Sequence, residues 1–346
     1  MTLAILFGGS SYEHEISIVS AITLKKVLKR MRPVFFFLDP DRQWYLVPSE
    51  EMKAKTFSSG AYKKFKKLSL QPGGFVVEGL LGSKKVSADR YLNLIHGRDG
   101  EDGKIAALME FYGLKYIGPR QEAAVMSYRK HYTKLLAASL GIETLEYRLL
   151  HREDPRQIDL EYPVIVKPDR LGSSIGVSVV RSPEELEYAL DVAFELDDQV
   201  IVEPFVEGIR EYNLAGCKTA AWELSLVEEP PKEELLDFDK KYRDFSREER
   251  VNEAVLDASV REEIEKAFMR LYDPLFRGSL IRCDFFVKDG RVYLNEINPV
   301  PGSMAHYLFD DFEGVLERLA RALPREKKIP VEYLYIHSIN AAKGKA

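Results

Sequence analysis

The chain has 346 residues, with 50 Lys plus Arg against 55 Asp plus Glu, and so a net charge of −5. At roughly 150 residues per domain this length holds two or three domains. A chain with 45% hydrophobic and 30% charged residues is an ordinary globular one, which excludes disordered, collagenous and coiled-coil classes. The acidic balance argues against a nucleic-acid-coating surface, and Cys217 and Cys283 are too few for a disulfide framework. No apolar run reaches the roughly 20 residues that span a bilayer, and no basic flank precedes the short apolar N-terminus, so neither a membrane nor an export signal is expected. A reducing cytoplasm fits best.

Leu3 to Phe7 is continuously apolar and ends in Gly8-Gly9, which predicts a buried strand entering a glycine turn. Ile18, Ala21, Ile22, Leu24, Leu28 and Met31 then recur at helical spacing, and Pro33 is expected to stop that helix before a strand from Val34 to Leu38. The result is a βαβ unit. The basic stretch Lys53 to Lys67 and the turn Pro72-Gly73-Gly74 read as irregular surface with a small hairpin. Alternation resumes with a strand Tyr91 to Ile95, a glycine loop, a helix Lys104 to Tyr112 and a strand Tyr116-Ile117. This N-terminal segment is therefore α/β, with loops gathered after strands where open parallel sheets bind ligands.

From about residue 126 the pattern becomes α+β. A helix is expected to Leu140, followed by strands near Glu146 to Leu150, Val164 to Lys167, Val177 to Val180 and Val200 to Val202, with one helix from Pro183 to Phe194. A polar stretch runs from Glu228 to Asn252, and a helix from Ser259 to Leu271. Strands Cys283 to Val287 and Arg291 to Leu294 are joined by Asp289-Gly290, a strong hairpin signal.

Five groups of residues carry chemistry. Gly8-Gly9-Ser10-Ser11-Tyr12-Glu13-His14-Glu15 leads into a helix, where free amides receive an anion and a carboxylate can hold an ammonium; a Ser10/Glu13 capping box is the plain alternative. His96-Gly97-Arg98-Asp99-Gly100-Glu101-Asp102-Gly103 places three glycines between strand and helix, either for close approach to a ligand or as an acidic surface loop. Lys167 ends the apolar strand Pro163 to Val166, and Gly172-Ser173-Ser174-Ile175-Gly176 follows, a loop suited to a polyphosphate although it lacks the Gly-Lys-Ser/Thr ending of a Walker loop. An ordinary hairpin turn would leave Lys167 unexplained.

Asp284, Glu296 and Asn298 fall on one face of the C-terminal hairpin, and two carboxylates with an amide suit Mg²⁺. A solvated face with an Arg282–Asp284 ion pair is the alternative. Finally, Pro299-Val300-Pro301-Gly302-Ser303-Met304 fixes a turn directly after these groups, able to hold amides near reacting oxygens or simply to be rigid.

Taken together and in this order, the motifs resemble those of the D-alanine:D-alanine ligases of the ATP-grasp superfamily over nearly the whole chain. The matches are Gly8 to Ser17, His96-Gly97 with Gly100 to Gly103, Val166-Lys167-Pro168 with Gly172 to Gly176, and Asn295-Glu296-Ile297-Asn298-Pro299 with Pro301-Gly302. The resemblance implies an α/β and α+β, three-domain ATP-grasp architecture. Its parts are an N-terminal Rossmann-like (pre-ATP-grasp) substrate domain at 1–125, a central domain at 126–208, and a C-terminal domain at 209–346 with the metal site and a lid.

By the same resemblance ATP lies between the last two domains, with Lys130 and Lys167 on its α- and β-phosphates and Ser173, Ser174 and Gly176 over them. Glu203, Phe205 and Val206 edge the adenine, Glu211 binds the ribose, and Asp284, Glu296 and Asn298 hold two Mg²⁺ ions, for which Mn²⁺ could substitute. Lys241 assists the phosphates, Glu13 binds the ammonium of the first D-alanine, and Arg282 with the Gly302 amide stabilises an oxyanion. The reaction joins two D-alanine molecules through an acyl phosphate for peptidoglycan; D-alanine with D-lactate is the alternative pair. Asp237 to Tyr242 matches the lid motif, Tyr242 reaching Ser173 and Glu13 and favouring D-alanine as second substrate.

Departures from the family pattern are Arg129, where an acidic residue is usual, and Tyr307, which by register takes the place of a serine or threonine that helps hold the second carboxylate. A homodimer formed through the N-terminal domain, with no nucleic acid or membrane partner, completes the expectation.

Overall fold

The computed structural model describes residues 1–79, 82–231, 251–325, 327 and 329–342. Alternation along β1 (Thr2–Gly8) sends Leu3, Ile5 and Phe7 to one face and Ala4 and Leu6 to the other, and all five are fully buried. Such a strand needs cover on both sides. The helix His14–Val27 supplies Ile18, Ala21 and Leu24 on the first face, and the helix Lys104–Phe111 supplies Ile105, Ala106 and Met109 on the second.

Around β1 stand β2 (Arg32–Leu38), β3 (Trp44–Val47), β4 (Lys66–Gln71), β5 (Gly74–Gly79), β6 (Gly82–Lys85), β7 (Arg90–Asn93) and β8 (Tyr116–Ile117). Their order is β6-β5-β4-β3-β2-β1-β7-β8. The β2-β1-β7-β8 part is parallel and β2 to β6 an antiparallel meander. Of the region expected as irregular surface, Lys53 to Lys67 holds the short helix Ala54–Ser58, the 3-10 turn Ala61–Lys64 and the first residues of β4, and the expected hairpin is β4-β5, closing at Gln71 and Gly74. Phe36 of β2, Trp44 of β3, Phe75 of β5 and Tyr91 of β7 pack ring to ring across this sheet.

The second sheet holds β9 (Arg148–His151), β10 (Val164–Pro168), β11 (Ser178–Val180) and β12 (Gln199–Pro204), in the order β11-β10-β12-β9 and antiparallel throughout. The helix Pro183–Leu196 begins with proline in its first turn and covers this sheet with Leu186, Ala189, Leu190, Ala193 and Phe194. Burying each large side chain contributes roughly 1.5–3 kcal/mol.

The third sheet runs β14-β13-β15-β16, from β13 (Arg210–Lys218), β14 (Trp222–Glu228), β15 (Ile281–Lys288) and β16 (Arg291–Asn298). Asp289 and Gly290 both take positive φ, 49° and 77°, as the hairpin signal requires. The helix Ala258–Leu275 packs Ile264, Phe268 and Leu271 into the core that includes Leu214, Phe285 and the free cysteines Cys217 and Cys283.

Two helices differ from the sequence expectation. The first ends at Val27, short of Pro33, because the backbone N–H groups of Lys29, Arg30 and Met31 donate to the Glu313 carboxylate at 3.1, 2.6 and 2.6 Å in place of helix carbonyls. The single helix expected from 126 to Leu140 is two, Gln121–Tyr128 and Lys130–Ser139, broken by extended backbone at Arg129. The break lets Lys130 N–H reach the Asp169 carbonyl and His131 N–H the Asp169 carboxylate, each at 2.9 Å. β13 and β14 were not foreseen.

Candidate active site

Glu13 precedes the first helix and is 9% exposed. The Ser10/Glu13 capping box does not form: the Glu13 N–H donates to Ser11 Oγ at 3.1 Å, and Ser11 Oγ donates to the His96 carbonyl at 2.8 Å. This leaves the Glu13 carboxylate free to face the loop after β10, where Ser173 Oγ donates to its Oε1 at 2.8 Å. Gly97 permits the approach, since a Cβ there would lie 2.6 Å from Glu13 Oε2 and its φ is 67°.

Burial and then the neighbouring Glu101 push the Glu13 carboxyl up to about 7. Burial likewise pushes Glu101 up to about 8 and pulls His96 down to about 4. His96 Nε2 lies 3.2 Å from Ser20 Oγ, which accepts the Ser303 N–H at 2.9 Å. A cavity of about 690 Å³ opens here, lined by Glu13, Tyr128, Arg170 and Leu171 among others.

Lys167, next to last in β10, has its ammonium 2.6 Å from Glu203 Oε2, while the other Glu203 oxygen lies 2.7 Å from the ammonium of Lys134. Although burial opposes ionisation of Glu203, Lys167 and Lys134 hold it down at about 2. Lys167, Glu203, Phe205, Val206 and Glu211 line one cavity of about 400 Å³, with Leu145, Ile165 and Phe286 as apolar walls. All five had been picked from the sequence. Ser173, Ser174 and Gly176 take positive φ, 55°, 57° and 71°, which coils the loop after β10. Lys130 donates to the Leu171 carbonyl and lies 3.9 Å from Glu296 Oε2, linking that loop to β16.

On the third sheet Asp284 pairs across strands with Glu296, and Arg282 with Asn298, so these four form one patch. Asn298 Nδ2 donates to Asp284 Oδ2 at 3.0 Å, and Arg282 grips Asp284 with Nε and Nη2 at 2.7 and 2.8 Å. The ion pair weighed as the plain alternative is therefore present together with the metal-type donor set. Burial, and less strongly Glu296, pushes the Asp284 carboxyl up. Two facing carboxylates and an amide oxygen are hard donors that a divalent cation fits, and its charge would offset the repulsion between them.

Gly302 is buried at the head of a left-handed turn in which Ser303, Met304 and Ala305 all have positive φ. Its rigidity is backbone strain held by packing. Tyr307 in the same turn lies close to Arg282. Lys241, Tyr242 and the Asp237 to Tyr242 lid motif lie outside the described residues.

Sequence reasoning missed Lys134 and the part played by Glu101. Lys134 follows Lys130 by four residues on the helix Lys130–Ser139, a spacing that places both on one face and was the available signal. For Glu101 the signal was the glycine density of its loop.

An α/β unit followed by two antiparallel four-stranded sheets, whose lysines, hydroxyl loop and carboxylate hairpin meet around Lys130 and Glu13, defines an ATP-grasp ligase architecture. Family models described as D-ala D-ala ligase N-terminus and C-terminus match residues 2–119 and 136–312. The D-alanine--D-alanine ligase of Sulfurovum sp. (strain NBC37-1) is 60% identical over the full length of both chains. The crystal structure of D-alanine-D-alanine ligase from Helicobacter pylori is 46% identical, covers 94% of this chain and 100% of its own, and superposes with a TM-score of 0.85. The VanG D-Ala:D-Ser ligase of Enterococcus faecalis shares the fold at 22% identity and a TM-score of 0.75, covering 93% of this chain and 98% of its own. The chain belongs to the D-alanine:D-alanine ligase family.

Proposed function

We propose that the protein joins two D-alanine molecules to D-alanyl-D-alanine with ATP, releasing ADP and phosphate, for peptidoglycan precursor synthesis. The observation that carries this reading is the Ser173–Glu13 hydrogen bond, which ties the phosphate loop to the carboxylate suited to a substrate ammonium. In the first step a carboxylate oxygen of the first D-alanine attacks the γ-phosphorus and ADP leaves, giving an acyl phosphate. In the second, the free amine of the other D-alanine attacks the acyl carbon, and phosphate leaves from a tetrahedral intermediate.

Glu13 holds the first ammonium, which asks it to be ionised. Lys130 and Lys167 offset the charge of the α- and β-phosphates, with Ser173, Ser174 and Gly176 above them. Glu203, Phe205, Val206 and Glu211 seat adenine and ribose, and Arg282 with the Gly302 amide stabilises the oxyanion. Asp284, Glu296 and Asn298 would hold two Mg²⁺ ions, or Mn²⁺, which screen the repulsion between carboxylate and triphosphate. Lys241 and Tyr242, outside the described residues, are the groups to which the family's lid motif assigns closure of the site, which would keep water from the acyl phosphate. The three-domain division at 125 and 208, a homodimer, cytoplasmic location, and independence of nucleic acid and membrane belong to the same reading. No helix among the described residues is long and apolar enough to cross a membrane.

Phosphate release measured with and without D-alanine tests it. Release that needs D-alanine and is abolished in Lys167→Ala and Glu296→Ala is expected. Robust turnover in either variant overturns the residue roles. No release with D-alanine alone, but release once D-lactate or D-serine is added, moves the activity to another pair.

A further inference from the structure

Lys134 has no part in the chemistry above, yet it is one of the most enclosed charges in the molecule. It is 3% exposed, and Glu203, its partner, is 2% exposed. Its ammonium is fixed from three sides: Glu203 Oε1 at 2.7 Å, the Leu145 carbonyl at 3.0 Å, and the face of the Tyr147 ring at 5.3 Å. Glu203 is thereby a bridge between two ammonium groups, Lys134 on one oxygen and Lys167 on the other. The two lysines are not equivalent. Lys167 lines the 400 Å³ cavity beside Glu203, whereas Lys134 is not among its lining residues and lies behind the carboxylate.

A buried carboxylate keeps its charge only while a cation neutralises it. If Lys167 turns to a nucleotide phosphate, Glu203 loses one of its two partners, and an unpaired buried carboxylate would draw Lys167 back. Lys134 cannot follow the phosphate, because its other contacts, the Leu145 carbonyl and the Tyr147 ring, anchor it on the far side of Glu203 from Lys167. We propose that Lys134 is a positioning residue of the nucleotide site, the resident counter-ion that keeps Glu203 ionised and oriented so that Lys167 is free to bind phosphate. The inference rests on the reading of Lys167 as a phosphate ligand and Glu203 as an adenine contact.

The test uses calorimetry of the full-length protein with a non-hydrolysable ATP analogue and Mg²⁺, alongside KM for D-alanine. Coupling within such a network spans severalfold to a hundredfold, so Lys134→Met should weaken the analogue by about tenfold or more, while KM for D-alanine stays within about twofold. Lys134→Arg should restore most of the affinity. The decisive variant is Lys134→Met with Glu203→Gln. The neutral amide no longer competes for Lys167, so the double variant should bind the analogue more tightly than Lys134→Met alone, a reversal that a merely structural lysine would not produce.

Unchanged analogue affinity in Lys134→Met, or a double variant at least as weak as the single, overturns the proposal. Should Lys134→Met fail to fold, the double variant is compared with Glu203→Gln alone: equal affinity supports the proposal and a further loss overturns it. Lys167→Ala serves as the reference. If it too binds the analogue normally, the phosphate reading itself has failed; if it binds poorly while Lys134→Met binds well, only this inference has.

Discussion

Glu13 and Glu101 sit in a chamber where burial opposes the charge of both, so the folded protein keeps protons that the unfolded chain would release. For each group the folded value, about 7 and about 8, exceeds the ordinary 4.5. Stability that depends on the protonated form is therefore fully present below about pH 4.5 and lost as pH climbs through 7 and 8. Glu101→Gln cannot ionise. In metal-free buffer it should match the parent near pH 5 and be the more stable of the two near pH 8.5 in urea unfolding; equal differences at both pH values would refute the assignment. Glu13 carries a functional counterpart. Because an ammonium is held only by the ionised carboxylate, KM for the first D-alanine should fall as pH rises through about 7, and Glu13→Gln should raise KM and flatten that profile in initial-rate measurements.

Elements differ in how far local sequence determines them. The strand Leu3 to Phe7, the helix from Pro183 and the Asp289-Gly290 hairpin were legible because periodicity, a first-turn proline and a positive-φ turn are encoded within a few residues. The end of the first helix was not, since its last turn is settled by Glu313, almost three hundred residues away, whose carboxylate takes three backbone N–H groups. The break at Arg129 has the same origin in Asp169. At the site, lysines at strand ends and paired carboxylates announce themselves by type and spacing, whereas Lys134 and Glu101 acquire their significance from burial, which no short motif records. Glu313→Ala removes the acceptor and leaves those N–H groups unpaired. It should cost roughly 2–4 kcal/mol, from about 1–3 kcal/mol per buried unsatisfied group offset by water entry, measured by urea unfolding. Nucleotide affinity should stay unchanged, because Glu313 lines neither the 400 Å³ cavity nor the chamber around Glu13.

At the scale of the whole molecule the site exists only where three sheets meet. Ser173 of the second sheet's loop bonds Glu13 after β1, Lys130 approaches Glu296 on β16, and Ser303 donates to Ser20 of the first helix. Bound nucleotide would contact groups from two of these sheets at once and so favour the assembled state over any state in which they have parted. Linkage then sets the size of the effect: ligand at 100 times its Kd adds about 2.7 kcal/mol to unfolding. ADP with Mg²⁺ at that ratio should raise the melting temperature in a single transition. Lys167→Ala, assayed at the same ADP concentration, should lose most of the increment, and EDTA should reduce it in the parent. A shift that survives Lys167→Ala would mean that the nucleotide is held elsewhere, and a shift confined to one of two separate transitions would mean that the sheets do not unfold as a coupled unit.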